Sequence, residues 1–318
     1  MIGVVGAGAF GTALALSQAS EGARVILWGR DRQSMDRSER ERRSARLPNL
    51  DLPSEVSCTG DLGDLAEATA LLLAIPAQKT EAFLAAHAEE LPDVPLVMCA
   101  KGIGATSLKL QTEIAAASAP GHALAALTGP GFAGEIAMGL PTALTLACTD
   151  RDLGRRLQAA LSHPRLRLYL TDDVAGVQLG GALKNVIAIA CGMADGAHLG
   201  ASARAALMTR GFAEMNRLAM AFGARRDTLS GLSGFGDLSL TCNSPQSRNY
   251  MCGLAIGQGT DRAGGTVEGV ATARAACKLA ARHAVEMPIA AAVADVLEGH
   301  LTLGAAMDAL LARPLKEE

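Results

Sequence analysis

The chain has 318 residues, 49% of them hydrophobic, and a formal net charge of −3. That is enough apolar material for one large domain or two ordinary ones. It excludes a global positive field that would attract nucleic acid or anionic lipid, and an aromatic content of 3% leaves few stacking platforms for single-stranded bases.

Seven cysteines, at 58, 99, 148, 191, 242, 252 and 277, are scattered and form no CxxC pair. This argues against a disulfide framework or a cysteine zinc site. The six histidines show no metal-ligand spacing, so no metal is expected. No basic leader precedes the first apolar run. No apolar run reaches the roughly 20 residues of a membrane helix without Pro, Gly or a charge interrupting it. A soluble, reduced, cytoplasmic protein with no nucleic-acid partner and no membrane span is expected.

Along the chain, residues 1–5 form a short apolar run, followed by a glycine-rich turn and an alanine-rich helix closed by Gly22. "ARVILWGR" is a second strand. The stretch 30–48 mixes both signs of charge and reads as a solvated helix face. "ATALLLAIPA" (68–77), "PLVMCAKG" (95–102), "ALTGPGFAGEI" and "PTALTLACT" continue a pattern of buried strands alternating with helices. That pattern indicates a parallel α/β sheet. From about Thr171 the segments are long, apolar and helical in spacing (172–195, 201–222, 268–283, 287–299). The expected fold class is therefore an α/β Rossmann-type doubly wound domain over 1–170, followed by an all-α domain over 171–318.

"GVVGAGAFGTALA" holds Gly6, Gly8 and Gly11 in the order G-x-G-x-x-G, with a strand before it and a helix after it. Gly6 permits the tight turn, Gly8 lets backbone approach a pyrophosphate, and Gly11 lets helix and strand pack closely. Ala9 and Phe10 open the helix, whose unpaired N–H groups suit phosphates. The second strand ends Gly29-Arg30-Asp31-Arg32. An acid at that point favours NAD(H) and an arginine favours NADP(H). Arg30 points to NADP(H), and the adjoining Asp31 leaves NAD(H) open.

"GGALKNVIAIACGMADG" (180–196) is a helix meant for an interior, yet it carries Lys184 and Asn185. A lysine is rarely buried without a partner. It can donate a proton to a carbonyl oxygen when its site tunes it. A structural ion pair fits the residues of this stretch equally well. Gly180 and Gly181 leave room for close packing, with the dinucleotide domain as one neighbour that would fit. "SGLSGFGDLSLTC" (230–242) holds one acid, Asp237. "SPQSRNYMCG" (244–253) groups Ser247, Arg248 and Asn249 before a helical run, which suits either a phosphate or a helix cap with a surface arginine. "GGTVEG" (264–269) holds Glu268 at a turn before a helix.

These pieces together resemble the bacterial-type NAD(P)-dependent glycerol-3-phosphate dehydrogenases along nearly the whole chain. The similarity runs in order through "GAGAFGTALA", "AKGI" (100–103), "TGPGFAGEI" (128–136), "ALKNVIAIACG" (182–192), "AALMTRGFAEM" (205–215), "GFGDLSLTC" (234–242), "SRN" (247–249) and "VEG" (267–269). The resemblance implies a catalytic Lys184, the proton acceptor when glycerol 3-phosphate is oxidised. It implies a substrate-site acid at Asp237 and a Lys101 near both substrate and cofactor. It further implies backbone contacts to substrate at Gly129 and Gly131, and a substrate-binding triplet Ser247, Arg248 and Asn249. Cofactor positions follow at Phe10, Arg30, Ala133, Arg248 and Glu268. It also implies a site between the two domains, a homodimer, and a role in supplying phospholipid synthesis.

The chain departs from the family at Gly131, where Ser or Thr is usual, and at Gly104, where glutamate is common. It also departs before "LPNL", where "NxxYLP" is missing, and at Ser202, where asparagine is usual. The expected reaction is reversible hydride transfer between NAD(P)H and dihydroxyacetone phosphate. Another Rossmann-plus-helical β-hydroxyacid dehydrogenase and a non-catalytic NADP-binding sensor are the alternatives.

Overall fold

A computed structural model describes residues 1–260 and 265–312; Gly264 of the GGTVEG segment lies outside them. The chain divides into two compact units. One comprises Met1–Lys101 and Lys109–Gln178; the other comprises Gly102–Leu108 and the chain from Leu179 onward.

The first unit is built on eight strands of one sheet: β1 (Ile2–Val5), β2 (Val25–Trp28), β5 (Val56–Thr59), β6 (Leu71–Leu73), β7 (Leu96–Met98), β8 (Leu124–Thr128), β9 (Thr142–Ala147) and β10 (Leu166–Thr171). A separate hairpin pairs β3 (Arg43–Ser44) with β4 (Leu47–Asp51). The sheet order is β10-β9-β8-β7-β6-β1-β2-β5. Its central strands are apolar on both faces. In β6, Leu72 joins one core with Val4, Leu27 and Val97, while Leu71 and Leu73 join the opposite core with Val5, Leu84 and Met98. Burial on both faces is what a doubly wound sheet requires.

One strand corrects the all-parallel expectation: β9 runs antiparallel to β8, and β10 then runs parallel to β9. The 129–141 connection explains this. Its helix has five residues, about 7.5 Å of rise, too short to return along a strand of roughly 20 Å. The chain turns back where a crossover would need a longer helix.

The helices of this unit are α1 (Ala9–Ala19), α2 (Arg32–Glu41), α3 (Ala77–His87), α4 (Gln111–Ser118), α5 (Ala133–Ala137) and α6 (Arg151–Leu161). The charged stretch 30–48 is thus a helix only as far as Glu41, and the β3–β4 hairpin follows. Arg42 makes that change of course in the left-handed region at φ 52°. Its guanidinium bonds Glu39 and the carbonyls of Leu52, Pro53 and Val56.

α1 is held to the α6–β10 corner by two side chains. Gln18 donates to the Leu161 carbonyl at 2.8 Å, and Ser17 lies 2.9 Å from His163 Nε2. Burial pushes the His163 ring below the usual histidine value of 6.5, against an opposing pull from Glu21. The folded chain therefore binds a proton here less readily than the unfolded chain. The stability this provides is present above pH 6.5 and is lost as the pH falls through the lower folded value. The urea midpoint is expected to drop between pH 7.5 and 5.5, and less steeply in His163→Asn. Equal slopes would remove His163 from that account.

The second unit is helical: α7 (Val174–Gly196, whose first turn lies in the first unit), α8 (Gly200–Ala221), α9 (Arg226–Ser230), a π-helical turn over Leu232–Gly236, α10 (Asp237–Cys242), α11 (Arg248–Gly257), α12 (Glu268–Arg282), α13 (Pro288–Leu297) and α14 (Leu303–Leu311). No strand follows Thr171 among the described residues. Helix α7 is long and apolar enough to cross a membrane by composition, but 89% of that window is buried in the fold, so its apolarity is that of a core helix. The carboxylate of Glu214 on α8, 1% exposed, accepts the free N–H groups of Ile289 and Ala290 at the start of α13. A buried charge is stabilised there by the helix end.

Candidate functional site

The first unit gathers its candidate residues beyond the carboxyl ends of β1, β2, β7 and β8. Sheets of this kind bind ligands there, where the strand order reverses, here between β1 and β6. The three glycines of the fingerprint have separate geometric duties. Gly6 sits at φ +119°, and a Cβ there would stand 2.7 Å from the Ala74 carbonyl oxygen. A Cβ on Gly11 would stand 2.0 Å from the Gly6 carbonyl oxygen. Gly8 differs: a Cβ on it meets no protein atom within 4 Å. It is the N-cap of α1 and supplies no side-chain cap. The N–H groups of Ala9, Phe10 and Gly11 have no intrahelical acceptor in this position. An open backbone approach in front of them fits a pyrophosphate.

Lys101 follows β7. Its Nζ donates to the Gly129 carbonyl at 2.8 Å and lies 5.9 Å from the centre of the Phe10 ring. Three expected residues, Phe10, Lys101 and Gly129, are thereby brought together. Gly129 needs its glycine, since its φ is +136°. A Cβ on Gly131 would stand 2.9 Å from Ile136 Cδ1 and 3.1 Å from Thr142 Cγ2; Ile136 would have to give way to any larger residue there. Ala133 opens α5. Arg30 ends the β2 segment in the open. Asp31 is the N-cap of α2, accepting from the Ser34 N–H at 3.2 Å.

The second unit centres on Lys184, 6% exposed and in the interior of α7. Its Nζ donates to Asp237 Oδ1 at 2.8 Å and to Thr241 Oγ1 at 2.6 Å. Asp237 is fully buried, and Thr241 Oγ1 also lies 3.3 Å from its Oδ1. Thr241 was missed by sequence reasoning. The signal for it is its position four residues after Asp237, on one face of α10.

The π-helical turn delivers Asp237 to this place. Gly234 lies so close to Leu229 that a Cβ would stand 1.9 Å from that carbonyl oxygen. Gly180, one turn before Lys184 on the same face of α7, packs on the turn's backbone, 2.6 Å from Cβ position to Ser233 oxygen. The close neighbour of Gly180 is thus Ser233, within the second unit.

Asn185 points to a second group. Its Oδ1 accepts from Asn249 Nδ2 at 2.9 Å, and Asn249 Oδ1 accepts from the Gly269 N–H at 2.9 Å. Gly269 follows Glu268, the half-buried first residue of α12. Ser247 is the buried N-cap of α11, its Oγ accepting from the Tyr250 N–H at 3.1 Å. Arg248 follows it and is exposed. The triplet thus divides: Ser247 caps, Asn249 ties three helices, and Arg248 is left in the open. Tyr250 and Arg204 both donate to the Asp195 carboxylate, which fixes α11 to α7 and α8. Burial and that carboxylate push the Tyr250 phenol above its ordinary range.

A buried ammonium held by a carboxylate and a hydroxyl can give a proton to a developing alkoxide and take it back. Thiol chemistry is disfavoured: burial pushes Cys99, two residues from Lys101, up to about 12, and Cys58 likewise to about 12. Such thiols are not nucleophiles near neutral pH. All seven cysteines are free, and six are buried.

Two family models match the chain. One describes the N-terminus of NAD-dependent glycerol-3-phosphate dehydrogenase and covers residues 1–154; the other describes its C-terminus and covers residues 173–308. A Paracoccus denitrificans protein named glycerol-3-phosphate dehydrogenase (NAD(P)+) is 53% identical over 318 residues, 100% of this chain and 99% of that protein. The crystal structure of a glycerol-3-phosphate dehydrogenase from Coxiella burnetii is 37% identical, with a TM-score of 0.93 over 98% of each chain. A ketopantoate reductase from Ralstonia eutropha shares 15% identity at a TM-score of 0.61, over 94% of this chain and 97% of that one.

Proposed function

We infer the function from one premise: the chain belongs to the NAD-dependent glycerol-3-phosphate dehydrogenase family. Its reaction is the reversible, NAD(P)-linked interconversion of dihydroxyacetone phosphate and sn-glycerol 3-phosphate. The observation that carries this reading is Lys184, buried at the centre of α7 with its Nζ on Asp237 and Thr241.

The open backbone at Gly8, between two glycines that admit no side chain, fits a dinucleotide. Gly6, Gly8, Ala9, Phe10 and Gly11 would hold its pyrophosphate end, and Arg30 would meet the adenosine ribose. Lys101, Ala133, Arg248 and Glu268 are its other expected contacts. When bound, the nicotinamide supplies or accepts the hydride. Lys184 gives its proton to the carbonyl oxygen of the ketone and recovers one when the alcohol is oxidised. Its charge also favours the oxyanion that develops on the way. Asp237 and Thr241 keep Nζ in one place, so no reorganisation is needed as the charge appears. Arg248, with Asn249 and the start of α11, receives the substrate phosphate and orients the carbon chain. Lys101, Gly129 and Gly131 complete the substrate contacts.

In this reading residues 1–170 bind the dinucleotide and residues 171–318 carry the proton chemistry. The enzyme works as a cytoplasmic homodimer that supplies the glycerol backbone of phospholipids. The alternative of another dehydrogenase on the same plan is not favoured, since the ketopantoate reductase shares only the fold at 15% identity. The deciding assay is NADPH oxidation with dihydroxyacetone phosphate, repeated with NADH. Turnover with at least one cofactor is expected, and no turnover with either overturns the reading.

A further inference from the structure

The stretch 30–46 carries seven arginines, and their surroundings sort them. Arg42 is taken up in fixing the base of the β3–β4 hairpin. Arg32 pairs with Asp61 at 2.8 Å, and Arg43 pairs with Asp51 at 2.9 Å. Arg37 and Arg40 lie on the exposed side of α2. Arg30 and Arg46 remain. Both are exposed, and neither guanidinium has a hydrogen bond or ion pair among the described residues.

These two belong to the segments that bracket the fingerprint loop. On one side, Gly29, the residue before Arg30, lies against Ala7, with 3.1 Å between its Cβ position and Ala7 Cβ. On the other, the hairpin reaches α1 through Ser44, whose Oγ is 3.3 Å from Thr12 Oγ1. Ser44 Oγ also accepts from the Arg46 N–H at 3.2 Å. Thr12 stands one helical turn past Gly8, to whose carbonyl its own N–H is bonded at 2.9 Å. The hairpin is therefore fixed at its base by Arg42 and near its turn by Ser44, with Arg46 beside the first turn of α1.

We propose that Arg46 is a specificity-determining residue: with Arg30 it forms a pair of guanidinium groups that holds the 2′-phosphate of NADP(H). This rests on the nicotinamide reading above and deepens it. Guanidinium groups suit a phosphate dianion better than a ribose hydroxyl, and a dianion has oxygens enough for two of them. The hairpin is already in place, so little ordering cost falls on binding. Asp31 would compete for the ribose if its carboxylate were free. Its Oδ1 accepts from the Ser34 N–H as the cap of α2, which turns that oxygen toward the helix end.

The test uses the full chain and two probes that need no turnover. Binding of 2′,5′-ADP and of 5′-AMP is measured by calorimetry for wild type, Arg46→Gln, Arg46→Lys and Arg30→Ala. Arg46→Gln is expected to weaken 2′,5′-ADP by about tenfold relative to 5′-AMP, with Arg46→Lys in between. The ratio of kcat/KM for NADPH to that for NADH should fall at least fivefold in both Arg46→Gln and Arg30→Ala. A 2′,5′-ADP to 5′-AMP ratio unchanged within twofold in Arg46→Gln overturns the proposal. Equal losses for both nucleotides also overturn it. If wild type turns over neither cofactor with dihydroxyacetone phosphate, the reading of the reaction fails, while the binding ratio still decides the role of Arg46.

Discussion

Lys184→Met is expected to lower kcat for dihydroxyacetone phosphate reduction by about 10³-fold or more, the range for losing a general acid that also stabilises the oxyanion. It should leave dinucleotide binding close to wild type. The same change strands the fully buried Asp237 without its cation. Breaking one side of a buried pair costs about 3–5 kcal/mol, so the single variant loses stability as well as turnover. A purely structural lysine predicts the stability loss too, and a second variant separates the two roles. Lys184→Met/Asp237→Asn removes both charges, and an uncharged replacement of a buried pair is often neutral. Its urea midpoint should recover most of what the single variant lost, while its kcat stays at the single-variant level. If turnover returned along with stability, Lys184 would be an ion-pair residue and the proposed chemistry would have to move elsewhere. Asp237→Asn alone adds a directional check. With the carboxylate gone, burial favours the neutral amine, so the rate of ketone reduction should decline at lower pH than in wild type.

The parts of this site written in short-range sequence were readable, and the parts written in tertiary contacts were not. The glycine spacing 6, 8, 11 is local: Gly6 has the positive φ of a tight turn, Gly11 the close approach its position suggests, and Gly8 open space beside it. Lys184 stood out because an isolated charge in an apolar helix needs an explanation. Its carboxylate partner lies 53 residues away, so spacing alone left the ion pair and the catalytic group level. Thr241 was hidden for another reason: in "DLSLTC" a threonine looks like any small helix residue until Asp237 is known to face inward. The Asn185–Asn249–Gly269 chain joins three helices, and no window of sequence spans it. In the sheet, β10 carries a clear alternation, with Leu166 and Leu168 buried and Arg167 and Tyr169 exposed. The reversal at β9 depends on how short α5 is, which composition does not reveal. The β3–β4 hairpin has no apolar alternation: Leu47 and Leu50 of β4 pack on the core, and Arg42 and the Ser44–Thr12 contact hold it in place.

Gly192→Ala should destabilise the chain by about 3 kcal/mol or more and cut kcat as well. The reason lies in how α7 meets α11. A Cβ on Gly192 would stand 2.0 Å from the Tyr250 carbonyl oxygen, and one on Gly253 would stand 2.0 Å from the Ile189 carbonyl oxygen. The next turn repeats the arrangement, with Gly196 at 2.3 Å from the Leu254 oxygen and Gly257 at 2.4 Å from the Met193 oxygen. All four obstacles are backbone, so no side chain can swing aside, and the helices must separate. Intrinsic helix propensity predicts the opposite sign: in a helix interior alanine is better than glycine by about 1 kcal/mol. The sign of the change therefore decides between close helix contact and a merely tolerated glycine. Gly304→Ala in α14 is the control, since a Cβ there meets nothing within 4 Å, and it should be neutral or slightly stabilising. The effect on turnover follows from what the two helices carry. Lys184 and Asn185 ride on α7, and Arg248 and Asn249 ride on α11, joined by the Asn249–Asn185 bond. Forcing the helices apart by about 1 Å displaces the proposed proton donor, Lys184, from Arg248, the proposed phosphate ligand, and a misplacement of that size costs on the order of 10²-fold in rate. A Gly192→Ala variant as stable and as active as wild type would mean that the α7–α11 contact does not set the spacing of the site.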